Sequence, residues 1–343
     1  MKAIVKKRAE KGLVCEDCPI PICGHLEVLL KVKQVSICGT DLHIDNWDAW
    51  AKQAMKPPTI IGHEFSGEVV ELGKGVTDIE IGSRAVVEGH VTCGACEQCL
   101  SGTRHLCPQT YGIGVQRDGG MAEYVAVPRE NLFILPDSIP DHVAAILDPL
   151  GNAAHTALSF DLVGKDIVIS GAGPIGSMAT AIARKAGARK VIVLDIRKYR
   201  LDLAMKMGAT HVVNVAEENL DECLKNFGVQ NGIDVGLEMS GNPEALRSLL
   251  SHMRPGGEVA LLGIFPHDVA INWGDVIFKG LKIKGIYGRE IFRTWFQVTR
   301  LLESGLDVSP IITHQFSALD FQEAFKVMHE GACGKVTLNW DLV

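Results

Sequence analysis

"KDIVISGAGPIGSMATAIARKAGARKVIVLDIRKYRLDLAMKMGATHVVNV", residues 165–215, reads as buried strand, amphipathic helix, strand, helix and strand in succession. That alternation is the pattern of parallel βαβ units, whose helices cover both faces of a sheet. The series continues through "IDVGLEMSG" (233–241) and a helix opened by Asn242 as cap with Pro243 in its first turn. Strands in "EVALLG" (258–263) and "LKIKGIYG" (281–288) follow. These segments fill a doubly wound parallel sheet, an α/β unit.

Outward from this block the texture changes. Up to about residue 145 Gly and Pro are frequent, few helical periods occur, and short β-type runs recur: "LEVLLKVKQVSI" (26–37), "FSGEVVELG" (65–73), "RAVVEGHV" (84–91) and "AEYVAV" (122–127). A compact all-β unit with irregular loops is expected there. Past residue 290, "IFRTWFQVTRLLESG" (291–305) and "FQEAFKVMHEG" (321–331) predict helices, and "GKVTLNW" (334–340) predicts a strand that returns to the first unit. A chain of 343 residues carries a size prior of about two domains.

Composition narrows the functions. With 47% hydrophobic and 22% charged residues the chain reads as a globular protein, and no apolar run reaches the roughly 20 residues of a membrane span. The start, "MKAIVKKRAEKG", lacks the apolar core of a secretory signal, so a cytoplasmic location is expected. A net charge of -7 without a long basic stripe argues against nucleic acid as partner and leaves small molecules. Ten cysteines in a reducing compartment are expected as metal-bound or free thiols.

Within the βαβ block, Gly171, Gly173 and Gly176 hold the G-x-G-x-x-G spacing between an apolar strand and a small-residue helix. Such glycines let the backbone approach a pyrophosphate, which then lies against a helix N-terminus. A tight strand-to-helix turn without ligand is the alternative. Asp195 ends the next strand, where a carboxylate accepts both hydroxyls of an adenosine ribose and repels a 2′-phosphate, so NAD is preferred to NADP. Arg197 and Lys198 read as solvated residues opening a helix; Arg200 packs on the adenine or faces water. Strands ending in "ALLGI" (260–264) and "GIYG" (285–288) reach the same carboxyl edge, where nicotinamide contacts are expected from Leu262, Gly263, Ile264, Ile286 and Tyr287.

Two metal sites are legible. Cys93, Cys96, Cys99 and Cys107 form C-x2-C-x2-C-x7-C, and four thiolates on one zinc leave no open position. That ion pins a loop; a redox pair or an iron–sulfur cluster is the lesser reading. Cys38 in "SICGTDLH" (36–43) and His63 in "IIGHEFSGEVVELGKGV" (60–76) are a thiolate and an imidazole beside glycines, suited to a zinc with an open fourth position, with Glu64 as oxygen ligand or anchor. Spacing alone leaves that pairing open. Cys15, Cys18 and Cys23 have no adjoining partner pair and read as free thiols.

The strings "CGTDLH", "GHEFSGEVVELGKGV", the four-cysteine lobe and "GAGPIG", in this order, resemble the zinc-dependent medium-chain dehydrogenases, and the resemblance extends over the whole chain. It implies a GroES-like catalytic domain over 1–146, completed by about 291–343, and a Rossmann NAD-binding domain over 147–290, with Ile175 joining the glycines at the cofactor. It implies two zinc ions per subunit: a catalytic one on Cys38, His63 and Glu64, and a structural one on Cys93, Cys96, Cys99 and Cys107. Thr40 and His43 resemble the family's proton relay. Where alcohol dehydrogenases of the family place a second zinc cysteine, this chain has Asp148 in "ILDPLG", which puts the coordination in doubt; Glu64 and Asp148 are not expected to stay bound together, since a second carboxylate makes the site anionic.

The nearest likeness within the family implies oxidation of a β-hydroxy amino acid by a homotetramer, with a polyol or secondary alcohol (sorbitol or 2,3-butanediol type) as the alternative. Glu88 and His90 in "EGH" are candidates for binding the substrate's charged groups. A nucleotide-binding protein without catalysis is the reading from another class, and intact Cys38, His63, Thr40 and His43 argue against it.

Overall fold

Residues 1–343 are all described by the structure, a computed structural model. They divide into two units: Met1–Asp148 with Glu290–Thr299 and Ile312–Val343, and Pro149–Arg289 with Arg300–Ile311.

In the first unit the long strand Glu27–Ser36 is the hub. It pairs antiparallel with Glu64–Leu72, with Tyr124–Pro128 and with Lys335–Asn339, so the C-terminal strand does return to the N-terminal sheet. Arg84–Val87 and Leu132–Ile134 extend one side and Ile312–Ser317 the other. Inward residues such as Leu30, Val35, Phe65, Val336 and Leu338 are buried in one cluster, the consequence of a strand's period of two.

The unit is not purely β. Helices Gly39–Asn46 and Ala49–Ala54 follow the hub strand, where no helical period was legible. Only Asp41 and Ile44 of the first of these are buried, so it carries no apolar stripe. Its ends hold it instead. Cys38 is its N-cap, with Asp41 Oδ2 accepting from Cys38 N at 2.8 Å. At the other end Lys6, fully buried, donates to the carbonyls of Glu10 (2.5 Å), Gly12 (3.1 Å) and Asp45 (3.2 Å), a cation where the helix dipole favours one.

The second unit is built on a six-stranded sheet, all parallel, in the spatial order His211–Asn214, Lys190–Asp195, Asp166–Ser170, Ile233–Glu238, Met253–Leu261, Lys282–Gly285. The order reverses between Asp166–Ser170 and Ile233–Glu238, and that reversal opens the crevice in which doubly wound sheets bind ligands, beyond the carboxyl ends of their strands. Helix Pro243–His252 starts as read, with Asn242 Oδ1 accepting from Glu244 N and Ala245 N.

One segment departs from expectation. Residues 291–343 do not all join the first unit: Arg300–Ile311 belongs to the second. There Leu306, Val308 and Ile311 are buried, the turn Ser309–Ile311 packs on helices Pro174–Lys185 and Lys198–Lys206, and Lys185 Nζ donates to Ser304 O. No helix is long and apolar enough to cross a membrane.

Candidate active site

The cofactor candidates sit at the carboxyl edge of the parallel sheet. Gly171 follows Asp166–Ser170 with φ +101°, and a Cβ on Gly176 would lie 2.0 Å from Gly171 O, so this turn admits only glycine at both places. Gly173 caps helix Pro174–Lys185 without a side-chain hydrogen bond, which leaves the first N–H groups, Ile175 among them, for an anion. Asp195 accepts from Ala172 N at 2.8 Å through Oδ2 and from Ile196 N and Arg197 N through Oδ1, a carboxylate fixed beside the glycine turn. Arg200 Nη1 stands 3.9 Å from it, with a buried, unpartnered Nε. Residues 262–264 and 286–287 come straight after strands Met253–Leu261 and Lys282–Gly285; Ile264 is 93% exposed and Tyr287 is exposed, so these side chains are open to a ligand. Glu238, fully buried, braces this rim: its carbonyl accepts from Leu262 N and Gly263 N and its carboxylate from Ser240 N.

The four-cysteine lobe is local. Sγ–Sγ distances are 3.9 Å for Cys93–Cys99, 3.8 Å for Cys96–Cys107 and 3.6 Å for Cys93–Cys107. A tetrahedron with zinc–sulfur bonds of about 2.3 Å has edges of roughly 3.8 Å, so one ion fits all four. The backbone N–H of Cys93, then that of Gln109, outweighs burial and holds the Cys107 thiol down at about 6, ready as a thiolate.

The second donor set is assembled from distant parts of the first unit. Cys38, at the end of the hub strand, meets His63 and Glu64, at the start of Glu64–Leu72, because Ser36 and Glu64 are register partners; their ligand atoms lie within 4.8 Å of one another. Burial alone would push the His63 ring down, but Cys38, Asp41 and Glu64 around it raise it to about 10. The pocket therefore draws positive charge to itself. His63 Nδ1 and Asp41 Oδ1, 4.0 Å apart, are both buried without hydrogen-bond partners. A soft thiolate, an imidazole and a carboxylate around unsatisfied buried atoms fit a zinc ion with a remaining open position.

Two residues of this pocket went unread in the sequence. Asp41, three residues after Cys38, accepts from Cys38 N and faces His63. Lys335, from the C-terminal strand, donates to Glu64 Oε2 at 2.5 Å and to Ile37 O at 2.9 Å, both side chains nearly inaccessible. Although burial favours the neutral forms, the pair's mutual attraction holds Glu64 below and Lys335 above its ordinary value.

Asp148 is buried near this set, which as a mutually close group consists of Cys38, His63 and Glu64. A Cβ on Gly89 would meet His63 Cβ at 3.5 Å and Asp148 Oδ2 at 3.7 Å, so the carboxylate and the His63 side chain border the same point. Thr40 Oγ1 is 3.7 Å from Cys38 Sγ, and His43 stands one helical turn further on, exposed. Glu88 accepts from Trp295 Nε1 at 2.9 Å and from His90 N and Nδ1, a buried brace rather than an open substrate contact. Cys15 faces Ile4 across a strand pair, Cys18 packs on a small apolar cluster and Cys23 Sγ donates to Glu27 O; all three are free.

Comparison with known proteins agrees with this geometry. Residues 24–137 match the alcohol dehydrogenase GroES-like domain and residues 174–304 the zinc-binding dehydrogenase domain. The chain is 55% identical over 340 residues to the L-threonine 3-dehydrogenase of Proteus mirabilis, covering 99% of this chain and 100% of that one. An Escherichia coli alcohol dehydrogenase complexed with NADH superposes with a TM-score of 0.91 at 27% identity, covering 99% of each chain. Galactitol-1-phosphate dehydrogenase from Escherichia coli does so with 0.90 at 29%, covering 99% of this chain and 100% of that one. The chain belongs to the zinc-dependent medium-chain dehydrogenase family, on the branch that holds the L-threonine 3-dehydrogenases.

Proposed function

We propose that this chain oxidises the β-hydroxyl of L-threonine with NAD, giving 2-amino-3-ketobutyrate, as a cytoplasmic homotetramer. The observation that carries the reading is identity of 54–55% over essentially full length to L-threonine 3-dehydrogenases, with the donor set and the cofactor turn intact. Cys38, His63 and Glu64 hold the catalytic zinc, and Cys93, Cys96, Cys99 and Cys107 the structural one. When bound, zinc supplies an electrophile that acidifies the substrate hydroxyl, and NAD supplies the hydride acceptor.

The chain's own residues do the rest. Gly171, Gly173, Ile175 and Gly176 receive the pyrophosphate, Asp195 the adenosine ribose and Arg200 its neighbourhood; the fixed Asp195 carboxylate disfavours a 2′-phosphate. Leu262, Gly263, Ile264, Ile286 and Tyr287 line the nicotinamide end. Thr40 starts the route by which the hydroxyl proton leaves, and His43, which is exposed, ends it by releasing a proton to water. A second bound carboxylate would leave the site anionic, so Glu64 and Asp148, which is buried nearby, do not both bind metal during turnover.

Initial rates on L-threonine, sorbitol and 2,3-butanediol with NAD and NADP, alongside zinc analysis of the purified protein, test the reading. It expects threonine with NAD to be the fastest pair and two zinc ions per chain. Faster turnover of a polyol overturns the substrate.

A further inference from the structure

The proposed proton route ends at His43, and one nitrogen of that ring is already taken. Nδ1 lies 2.5 Å from Asp48 Oδ2. A carboxylate only accepts, so Nδ1 carries the hydrogen and Nε2 keeps the lone pair. Asp48 is itself locked: its Oδ1 accepts from Ala51 N at 3.0 Å as N-cap of helix Ala49–Ala54, and its N–H donates to His43 O at 3.4 Å. The close return from residue 43 to residue 48 is made by Trp47, in the left-handed region at φ 52°. The Trp50 ring, centroid 5.9 Å away and tilted by 55°, borders the imidazole.

We infer that Asp48 is a positioning residue of the proton route, fixing His43 in the tautomer whose Nε2 can accept. Its role rests on the relay reading above. A proton arriving along the route bonds to Nε2 and makes an imidazolium whose charge faces the Asp48 carboxylate. Loss of that same proton from Nε2 to water restores the neutral ring, and the Nδ1–H never leaves. As an exposed ion pair the His43–Asp48 contact contributes little to stability, so what it supplies is the tautomer.

No other charged group around the helix competes for the ring. Asp41 on the same helix turns to Cys38 N, and Asp45 accepts from His329 Nε2, from helix Phe321–Glu330, at 2.8 Å. Lys6, ending strand Lys2–Lys6, bonds the Asp45 carbonyl and lies over the Trp47 ring, and Lys52 on helix Ala49–Ala54 is exposed and makes no ion pair.

The test is Asp48→Asn in the full-length, zinc-loaded enzyme. Asparagine caps a helix as well as aspartate does, but its amide can also donate to Nδ1, which puts the hydrogen on Nε2 and blocks acceptance. The expected result is a kcat lower by about tenfold at neutral pH, part of what a positioned acid–base group supplies. KM for threonine and NAD, zinc content and Tm should stay unchanged, and added imidazole should restore part of the rate. In a His43→Gln background the same substitution should change kcat by less than about twofold, since coupled residues do not add. If His43→Gln is slow and Asp48→Asn turns over normally, or Asp48→Asn slows both backgrounds equally, the role of Asp48 is overturned while the relay stands. If His43→Gln itself turns over normally, the relay reading falls first.

Discussion

The two donor sets of the first unit satisfy the same ion by opposite means. The lobe draws four sulfurs from residues 93–107, a short segment folded on a single turn of helix, Glu97–Leu100, and the 3-10 turn Arg104–Leu106. The Cys38 set draws three different atoms from two neighbouring strands and surrounds them with Asp41 and a buried lysine 271 residues away from its partner Glu64. Four equal thiolates complete a tetrahedron and leave an ion nothing to do but hold the loop. A mixed set of three, with its charge balanced by the protein, leaves a corner for a substrate. The lesson is that coordination number, rather than affinity, separates a structural ion from a reactive one.

The strongest way to break this contrast is Cys38→Ser against Cys99→Ser. Cys38→Ser should lower turnover by about 10³-fold or more while NAD affinity, measured by fluorescence titration, stays within about twofold. Persisting turnover would remove Cys38 from the chemistry.

Lys335→Met tests the charge balance of the catalytic pocket. Removing one partner of an inaccessible ion pair leaves Glu64 buried and unpaired, at a cost of about 3–5 kcal/mol in the metal-free protein, read from denaturant unfolding. Zinc-loaded protein should lose less, because the ion takes over the lysine's role toward Glu64. Equal losses in both forms would show that Glu64 does not face the metal.

Cys99→Ser should reduce zinc from two ions to one per chain and lower Tm by about 5–10 °C, with kcat of the remaining folded enzyme within about threefold of the parent. A large loss of kcat at unchanged Tm would erase the distinction between the two sites.

The smallest effect is on pH. With His63 held at about 10 in the metal-free pocket, zinc entering at pH 7–9 displaces its proton. Zinc affinity of that pocket should rise by about tenfold per pH unit from this group alone, and flatten above pH 10. Chelator competition in a Cys99→Ser protein, which retains only this pocket, reads it directly; a flat profile would mean that His63 is not a ligand.

How much of this was legible depended on distance along the chain. The glycine turn, Asp195 and the four cysteines each act over a few residues, so spacing carried their chemistry. Helix Gly39–Asn46 was missed because it is held by caps, Cys38–Asp41 at one end and Lys6 at the other, rather than by an apolar face. The placement of Arg300–Ile311 in the second unit was missed because helical periodicity says that a face is buried but not against what.

The sequence by itself determined the alternation of strands and helices, the dinucleotide turn and the sulfur lobe, since each follows from local geometry repeated at fixed intervals. Only the tertiary structure decided that Lys335 answers Glu64, that Asp148 is buried near His63 and that Asp48 bonds His43. Those contacts depend on strand register and on a left-handed turn, and in a low-dielectric interior a shift of one residue would change which charges meet.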